Sequence, residues 1–312
     1  MSLTTKMSLF INGLKAKVMS TELIIEANVS KNILFEALEL VKAFEAKYSA
    51  YKEDSLLSHI NHSSGENTIE CSLEDMEIFS KAIAIAKRSN GLFDPTIGAL
   101  TQGSYGFGTK EAKLPSPAEL TKKKKLVNYK ECIIHERTIF LQQKGMRLDL
   151  GGIGKGYIGD KIMEFLLKKG ATKVLLSVGG EICSYGKKYT IALQDPFENK
   201  NIAIIKTSKK MLSVSTSGDY ERFIGSKKNH HILDNTSAKP NHFHSSITIL
   251  KDGLHGATLD AVATIAFNSK NEDLYALAKK FEVVIIAISP QKSIQIENFS
   301  GLSIESFEMF SF

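Results

Sequence analysis

Apolar side chains recur along this chain with two spacings, one suited to strands and one to helices. Near the start they mark strands over 9–18 and 23–29, turning at Ser20-Thr21. Ile33, Leu34, Ala37, Leu38, Val41 and Phe44 then share one helix face behind Ser30, a residue suited to an N-cap. A loop over 51–55, a short turn over 56–61 and a polar surface loop over 61–67 follow. Ser72 opens a second helix with Asp75 as its capping-box acid. Met76, Phe79, Ile83 and Ala86 form its apolar stripe, and Gly91 stops it. Residues 101–116 are rich in glycine and read as a loop, 117–126 as a short helix, and 131–134 with 138–142 as a hairpin.

Residues 146–150 read as a short strand, and five glycines follow within nine residues, at 151, 152, 154, 156 and 159. Helical spacing runs over 157–169, with Ile158, Ile162, Phe165 and Leu166 on one face and Gly170 as its stop. Strands are expected over 173–178, 189–194, 202–206, 211–215 and 246–250, then helices over 258–267 and 272–281, then strands over 283–288, 293–297 and 302–306. Helices and strands mix without strict βαβ alternation, which predicts an α+β fold and not a Rossmann fold. No internal repeat or clear linker divides the chain, so residues 7–308 read as one domain.

Composition narrows the classes. At 312 residues the chain can bury a full core, as one large domain or two lobes. Its 43% hydrophobic and 24% charged content is ordinary for a globular protein. The net charge of +6 is partly local, in the Lys122–Lys125 run; it suits a small anionic ligand and is too weak to argue for nucleic acid. Cys71, Cys132 and Cys183 stand singly, so neither a disulfide framework nor a zinc site is expected. No apolar run approaches a membrane span. Met1-Ser2-Leu3 lacks a basic-then-apolar signal and a lipid-attachment cysteine. Such a start is compatible with a leader in place of an export signal, so it does not decide the compartment.

The glycine stretch is the first candidate for chemistry. A strand that breaks into glycines and opens a helix can hold phosphate on free N–H groups, and Asp149 and Lys155 lie in the turn. Its plain alternative is a turn that packs strand on helix. Gly154-Lys155-Gly156-Tyr157-Ile158-Gly159 satisfies G-x-G-x-x-G, and Glu181 lies where a ribose-binding acid belongs. The lysine in the turn and the missing βαβ repeat speak against a dinucleotide fold. Asp94-Pro95-Thr96 reads as a rigid turn whose acid can satisfy its own backbone. Asp260 and Thr264, four apart on a helix, present a hard oxygen pair suited to Mg²⁺, or else a helix acid and a core threonine. In His230-His231-Ile232-Leu233-Asp234, strand alternation sets His231 with Leu233 on one face and His230, Ile232 and Asp234 on the other. Either a structural or a catalytic histidine fits that pattern.

Taken together, residues 51–55, 91–100, 148–160, 177–182, 214–223, 230–240 and 260–267 resemble the ApbE family, the FAD:protein FMN transferases, in the family's order. The resemblance implies mixed sheets with flanking helices in two closely associated lobes. It implies that FAD binds with Mg²⁺, that FMN passes to a threonine hydroxyl of a target protein, and that AMP leaves. Acceptors in the family are subunits of membrane redox complexes, and family members work on the periplasmic side of the cytoplasmic membrane; a cytoplasmic place stays open for this chain. Some members hydrolyse FAD to FMN and AMP, so an FAD pyrophosphatase or a non-catalytic FAD-binding protein are the alternatives. By position, Asp260, Thr264 and the Gly152 carbonyl match the metal site, and Asp260 also counts as catalytic. Tyr51, Leu92, Phe93, Asp94, Asp149, Lys155 and Leu233 match FAD contacts. His231 matches the histidine near the reacting phosphate, the expected proton acceptor.

Departures stand beside these matches. The family's Met-Gly-Thr is replaced at best by Asn12-Gly13-Leu14, and its Pro-Arg-Thr-Gly by Asn235-Thr236-Ser237-Ala238. Ala263 stands where some members carry a further metal-site acid. Asp252-Gly253-Leu254-His255-Gly256-Ala257-Thr258 is similar to an acceptor motif, which raises self-modification at Thr258 against coincidence in a glycine turn.

Overall fold

The computed structural model describes residues 11–220, 222–298 and 300–310. The first two residues of the expected strand over 9–18, the outer edge of the 7–308 domain, and Glu221 lie outside them.

Eight strands form one sheet, and every pairing in it is antiparallel. Asn12–Val18 is one edge, hairpinned to Thr21–Ala27; then come Val174–Val178, Glu181–Tyr185, Leu212–Gly218, Ser246–Asp252, Val284–Ile288 and Ile294–Glu297. A dinucleotide fold needs parallel strands, so this pattern bears out the α+β reading. Val284–Ile288 is buried at all five positions, as expected of a strand covered on both faces. One cover is the sheet of Thr190–Gln194, Asn201–Thr207 and Ile304–Met309. There Ile191, Leu193 and Ile205 pack with Leu212, Leu250 and Ile286.

The other cover is helical. Lys31–Tyr48, Gly154–Lys168 and Gly256–Phe267 lie on the sheet and share its largest core. The last of these is apolar apart from Thr258 and the side bearing Asp260 and Thr264, with Leu259, Val262, Ile265 and Phe267 all at 0% exposure. Burial of side chains of this size contributes roughly 1.5–3 kcal/mol each. Its small residues let neighbouring backbone come close. A Cβ on Gly156 would stand 2.1 Å from the Gly256 carbonyl oxygen, so the two helix starts touch.

Three expectations change. Residues 146–150 are not a strand; their one ladder contact is the parallel bridge Ile97↔Arg147. The central helix begins at Gly154, three residues early. Residues 101–105, expected as loop, form a π-helical turn, a rare form that often marks functional sites. Ser30 sits at the N-cap position without a side-chain bond, whereas Ser72 and Asp75 form the expected capping box.

Candidate functional site

A cleft of about 420 Å³ opens where the helix starts meet the segments at 92–101, 216–218 and 231–235 and Arg222. All the sequence-derived candidates line it: Tyr51, Leu92, Phe93, Asp94, Asp149, Gly152, Lys155, His231, Leu233, Asp260 and Thr264. They come from five separate stretches of chain, brought together by the helix packing and by long loops off the sheet.

Charge is concentrated at the helix starts. Lys155 Nζ lies 3.1 Å from Asp260 Oδ1 and 3.4 Å from Glu181 Oε1. Burial works against the ammonium, but the two carboxylates outweigh it, raise its pKa and hold it charged. Burial pushes Glu181 upward, and the neighbouring Asp260 adds to that while Lys155 opposes it. With Glu181 holding its proton, Lys155 and Asp260 balance each other, and a second negative charge appears only as Glu181 ionises; Glu181 Oε2 is buried without a hydrogen-bond partner. Such an arrangement has room for a further positive charge. Asp260 Oδ2 accepts from the Gly156 N–H at 3.1 Å. Thr264 Oγ1 makes a long 3.4 Å bond back to the Asp260 carbonyl, so the hydroxyl stays on the same helix face as the carboxylate. A Cβ on Gly152 would stand 3.2 Å from Thr264 Oγ1 and 3.4 Å from Phe93 Cε2, so a side chain there would fill the space beside the hydroxyl.

The expected phosphate cradle is narrowed here. The Gly151 N–H donates to Asp149 Oδ1, Ile153 and Gly154 donate to the Leu150 carbonyl, and Gly156 donates to Asp260. Four amides of the turn are thus spent inside the protein, and its one full positive charge for an anion is that of the Lys155 side chain. The G-x-G-x-x-G match is incidental, since Gly156 serves the contact with Gly256.

Asp149 is held from both sides, with Oδ2 accepting from Thr101 Oγ1 at 2.5 Å and Oδ1 from Gly151. The π-helical turn at 101–105 thus carries a partner for a candidate site acid. Half-exposed Tyr51 has its pKa raised to about 12, first by burial of its hydroxyl and then by Asp149. Asp94 lines the cleft, yet its carboxylate is occupied by Thr96 N–H, Thr96 Oγ1 and Tyr129 N–H at 2.6–2.8 Å. It fixes the turn that presents Leu92 and Phe93.

His231 Nδ1 lies 3.2 Å from the Arg222 carbonyl oxygen. A carbonyl only accepts, so Nδ1 carries the proton and Nε2 keeps its lone pair. Burial, helped by the nearby positive charges of Arg222 and Lys155, pushes the imidazole down to about 4, so it is neutral near pH 7. His230 faces the interior, fully buried, with Nε2 on the Asn241 carbonyl at 2.8 Å and its ring edge-on to Phe267. The strand here is only Leu233–Asp234, and Ile232 lines the cleft beside its neighbours instead of facing away.

The residues after Asp234 do their own work. Asp234 caps the turn through Thr236 and Ser237 N–H. Asn235 Nδ2 donates to the Gly91 and Leu92 carbonyls, tying this loop to the one that carries Leu92 and Phe93. Thr258 does not line the cleft. On a helix it points about 200° from Asp260, which argues against modification in place. Sequence reasoning left Glu181, Arg222, Thr101 and Asn235 without roles. For Glu181 the sequence pattern suggests only a ribose-binding acid.

The sequence profile of the ApbE family matches residues 15–288. An FAD:protein FMN transferase of Klebsiella pneumoniae is 31% identical over 270 residues, 81% of this chain and 84% of that protein. One from Treponema pallidum is 28% identical over 288 residues, 84% and 78% of the two chains. The crystal structure of an ApbE protein from Thermotoga maritima superposes with a TM-score of 0.84 at 25% identity, over 93% of this chain and 97% of that one. Motifs, fold and relatives agree, and this chain belongs to the ApbE family.

Proposed function

We propose that this protein is a flavin transferase that moves FMN from FAD to a threonine hydroxyl of a target protein and releases AMP, with Mg²⁺ bound. The observation that carries the reading is the pairing, in one cleft, of an unprotonated His231 Nε2 with the Lys155–Asp260–Glu181 charge group. The names of the relatives support the flavin chemistry.

The donor set fits Mg²⁺. Among the described residues no three His, Cys, Asp or Glu side chains form a metal cluster. What the cleft offers is the Asp260 carboxylate and the Thr264 hydroxyl, with the Gly152 backbone beside them, all hard oxygens. Mg²⁺ is commonly held by one or two carboxylates together with waters and substrate phosphates. Bound there, it would offset the charge of a diphosphate.

The chain's own residues divide the remaining work. Lys155 meets the negative charge that builds on the departing phosphate. His231 Nε2 takes the proton of the acceptor hydroxyl, whose oxygen forms a bond to the FMN phosphorus. The bond from that phosphorus to the bridging oxygen breaks, and AMP leaves with the electron pair. Leu92, Phe93, Tyr51 and Leu233 offer apolar and aromatic surface for the flavin and adenine rings.

The test is a single incubation with FAD, Mg²⁺ and a threonine-bearing target peptide, read by mass spectrometry. Peptide carrying FMN, with AMP in equal amount, is the expected result. Free FMN and AMP beside unmodified peptide would make water the acceptor. FAD left intact would overturn the transferase reading.

A further inference from the structure

The helix that carries Asp260 and Thr264 begins without a cap of its own. His255 occupies the N-cap position and makes no side-chain bond there. A helix start leaves backbone N–H groups in need of acceptors. Here the acceptor comes from the neighbouring helix: Asp160 Oδ1 takes the Gly256 N–H at 2.7 Å, and Oδ2 takes the Ala257 N–H at 3.0 Å. The exchange is mutual, because Asp260 Oδ2 takes the Gly156 N–H of the helix bearing Asp160. Each aspartate lies four residues beyond the glycine of its own helix that faces the other, and the two glycines are packed backbone to backbone.

We propose that Asp160 is a positioning residue for the cation site: it fixes the first turn from which Asp260 and Thr264 project. Asp160 is buried and lies outside the cleft lining, so it touches neither substrate nor cation. Its reach is indirect and short. Asp260 follows Gly256 by one turn and Thr264 by about two, at about 1.5 Å of rise per residue. A first turn that loses its clasp lets Asp260 move. Asp260 then slackens its holds on Gly156 and Lys155 as well, since the same carboxylate serves both. The inference rests on the Mg²⁺ reading of Asp260 and Thr264.

The experiment titrates the whole protein with Mn²⁺, a paramagnetic stand-in for Mg²⁺, and counts free ion by electron paramagnetic resonance. Wild type, Asp260→Ala, Asp160→Asn and Gly256→Ala are compared, with melting temperature and circular dichroism measured in parallel. Asp160→Asn keeps the size but turns one acceptor into a donor facing a backbone N–H. Gly256→Ala opens the same junction from the other side, since its Cβ would stand 2.7 Å from Asp160 Oδ1 and 2.6 Å from the Gly156 carbonyl oxygen. Both should weaken Mn²⁺ binding about tenfold, the usual scale for partners that orient metal ligands. In both, turnover at limiting Mg²⁺ should fall and recover within about twofold at saturating Mg²⁺, as a purely orienting role requires. A purely structural Asp160 would lower the melting temperature and leave Mn²⁺ affinity within twofold of wild type in both variants, which overturns the inference alone. Wild type that binds no Mn²⁺, or Asp260→Ala that binds it normally, overturns the metal reading and this inference with it.

Discussion

The two walls of the cleft are built differently. One is made of two helix starts pressed together, and there Lys155, Asp260 and Glu181 hold one another. Asp260 is 2% exposed and every movement of its carboxylate disturbs a lysine and a backbone amide. The other wall is loop. Leu92 and Phe93 stand on a turn fixed by Asp94, His231 hangs from one backbone carbonyl, and Asn235 ties the loops together with two bonds. The helical wall carries the charge, and the loop wall carries the apolar surface and the imidazole that the proposed mechanism uses as its base. Rigid elements hold a charge group to the tolerance that such chemistry needs, while loops vary more freely.

Substitutions can break this division, starting where it is strongest. Asp260→Ala removes the proposed cation ligand and frees Lys155 and the Gly156 amide. AMP release at saturating FAD should fall roughly a thousandfold, matching the loss of several kcal/mol of charge stabilisation. A fall of less than tenfold would take the metal off this wall. His231→Ala should lower kcat roughly a hundredfold or more, the scale of a lost general base, with little change in KM for FAD. A rise in KM alone would make His231 a binding residue.

The pH profile sharpens the same point. His231 is held down to about 4, below its ordinary value of about 6.5, so its free base is present throughout the neutral range. A base must be unprotonated, so kcat/KM should stay flat as pH falls past 6.5 and drop only near 4. A limb at 6.5 would mean the imidazole is not held down by its surroundings.

Smaller effects belong to the loops. Asn235→Ala loses two bonds to backbone carbonyls, and KM for FAD should rise about fivefold at unchanged kcat, equivalent to roughly 1 kcal/mol. Equal losses in kcat would place the loop in the chemistry. Ala238 sits in the left-handed region with φ 60°. Ala238→Gly relieves that backbone but also removes a methyl group that is 1% exposed, so stability in a urea titration should stay within about 1 kcal/mol of wild type, with activity unchanged.

The same contrast governs what could be read from the chain. Asp260 and Thr264 were legible because helical spacing places i and i+4 on one face whatever surrounds them. The capping box at Ser72 and Asp75 and the stop at Gly91 were local for the same reason. The glycine turn was legible only in part, because four of its amides are claimed inside the protein, one of them by an acceptor 104 residues away at Asp260. Glu181 was visible as a residue and invisible as a partner of Lys155, since that contact depends on sheet order. Residues 146–150 looked like a strand because apolar residues alternate there, but no ladder runs along them. At 235–238 the departure from the family pattern was plain, yet the clamp that Asn235 makes required the loops in place.

The most direct test is a crystal structure with FAD and Mg²⁺ bound, using Asp160-intact, His231→Ala protein to slow turnover. The account predicts a cation held by the Asp260 carboxylate, the Thr264 hydroxyl and the Gly152 carbonyl, with the diphosphate against it and Lys155 alongside. It also predicts that the truncated position 231 faces the FMN phosphorus. A cation or diphosphate lodged away from Asp260 and Lys155 would contradict it.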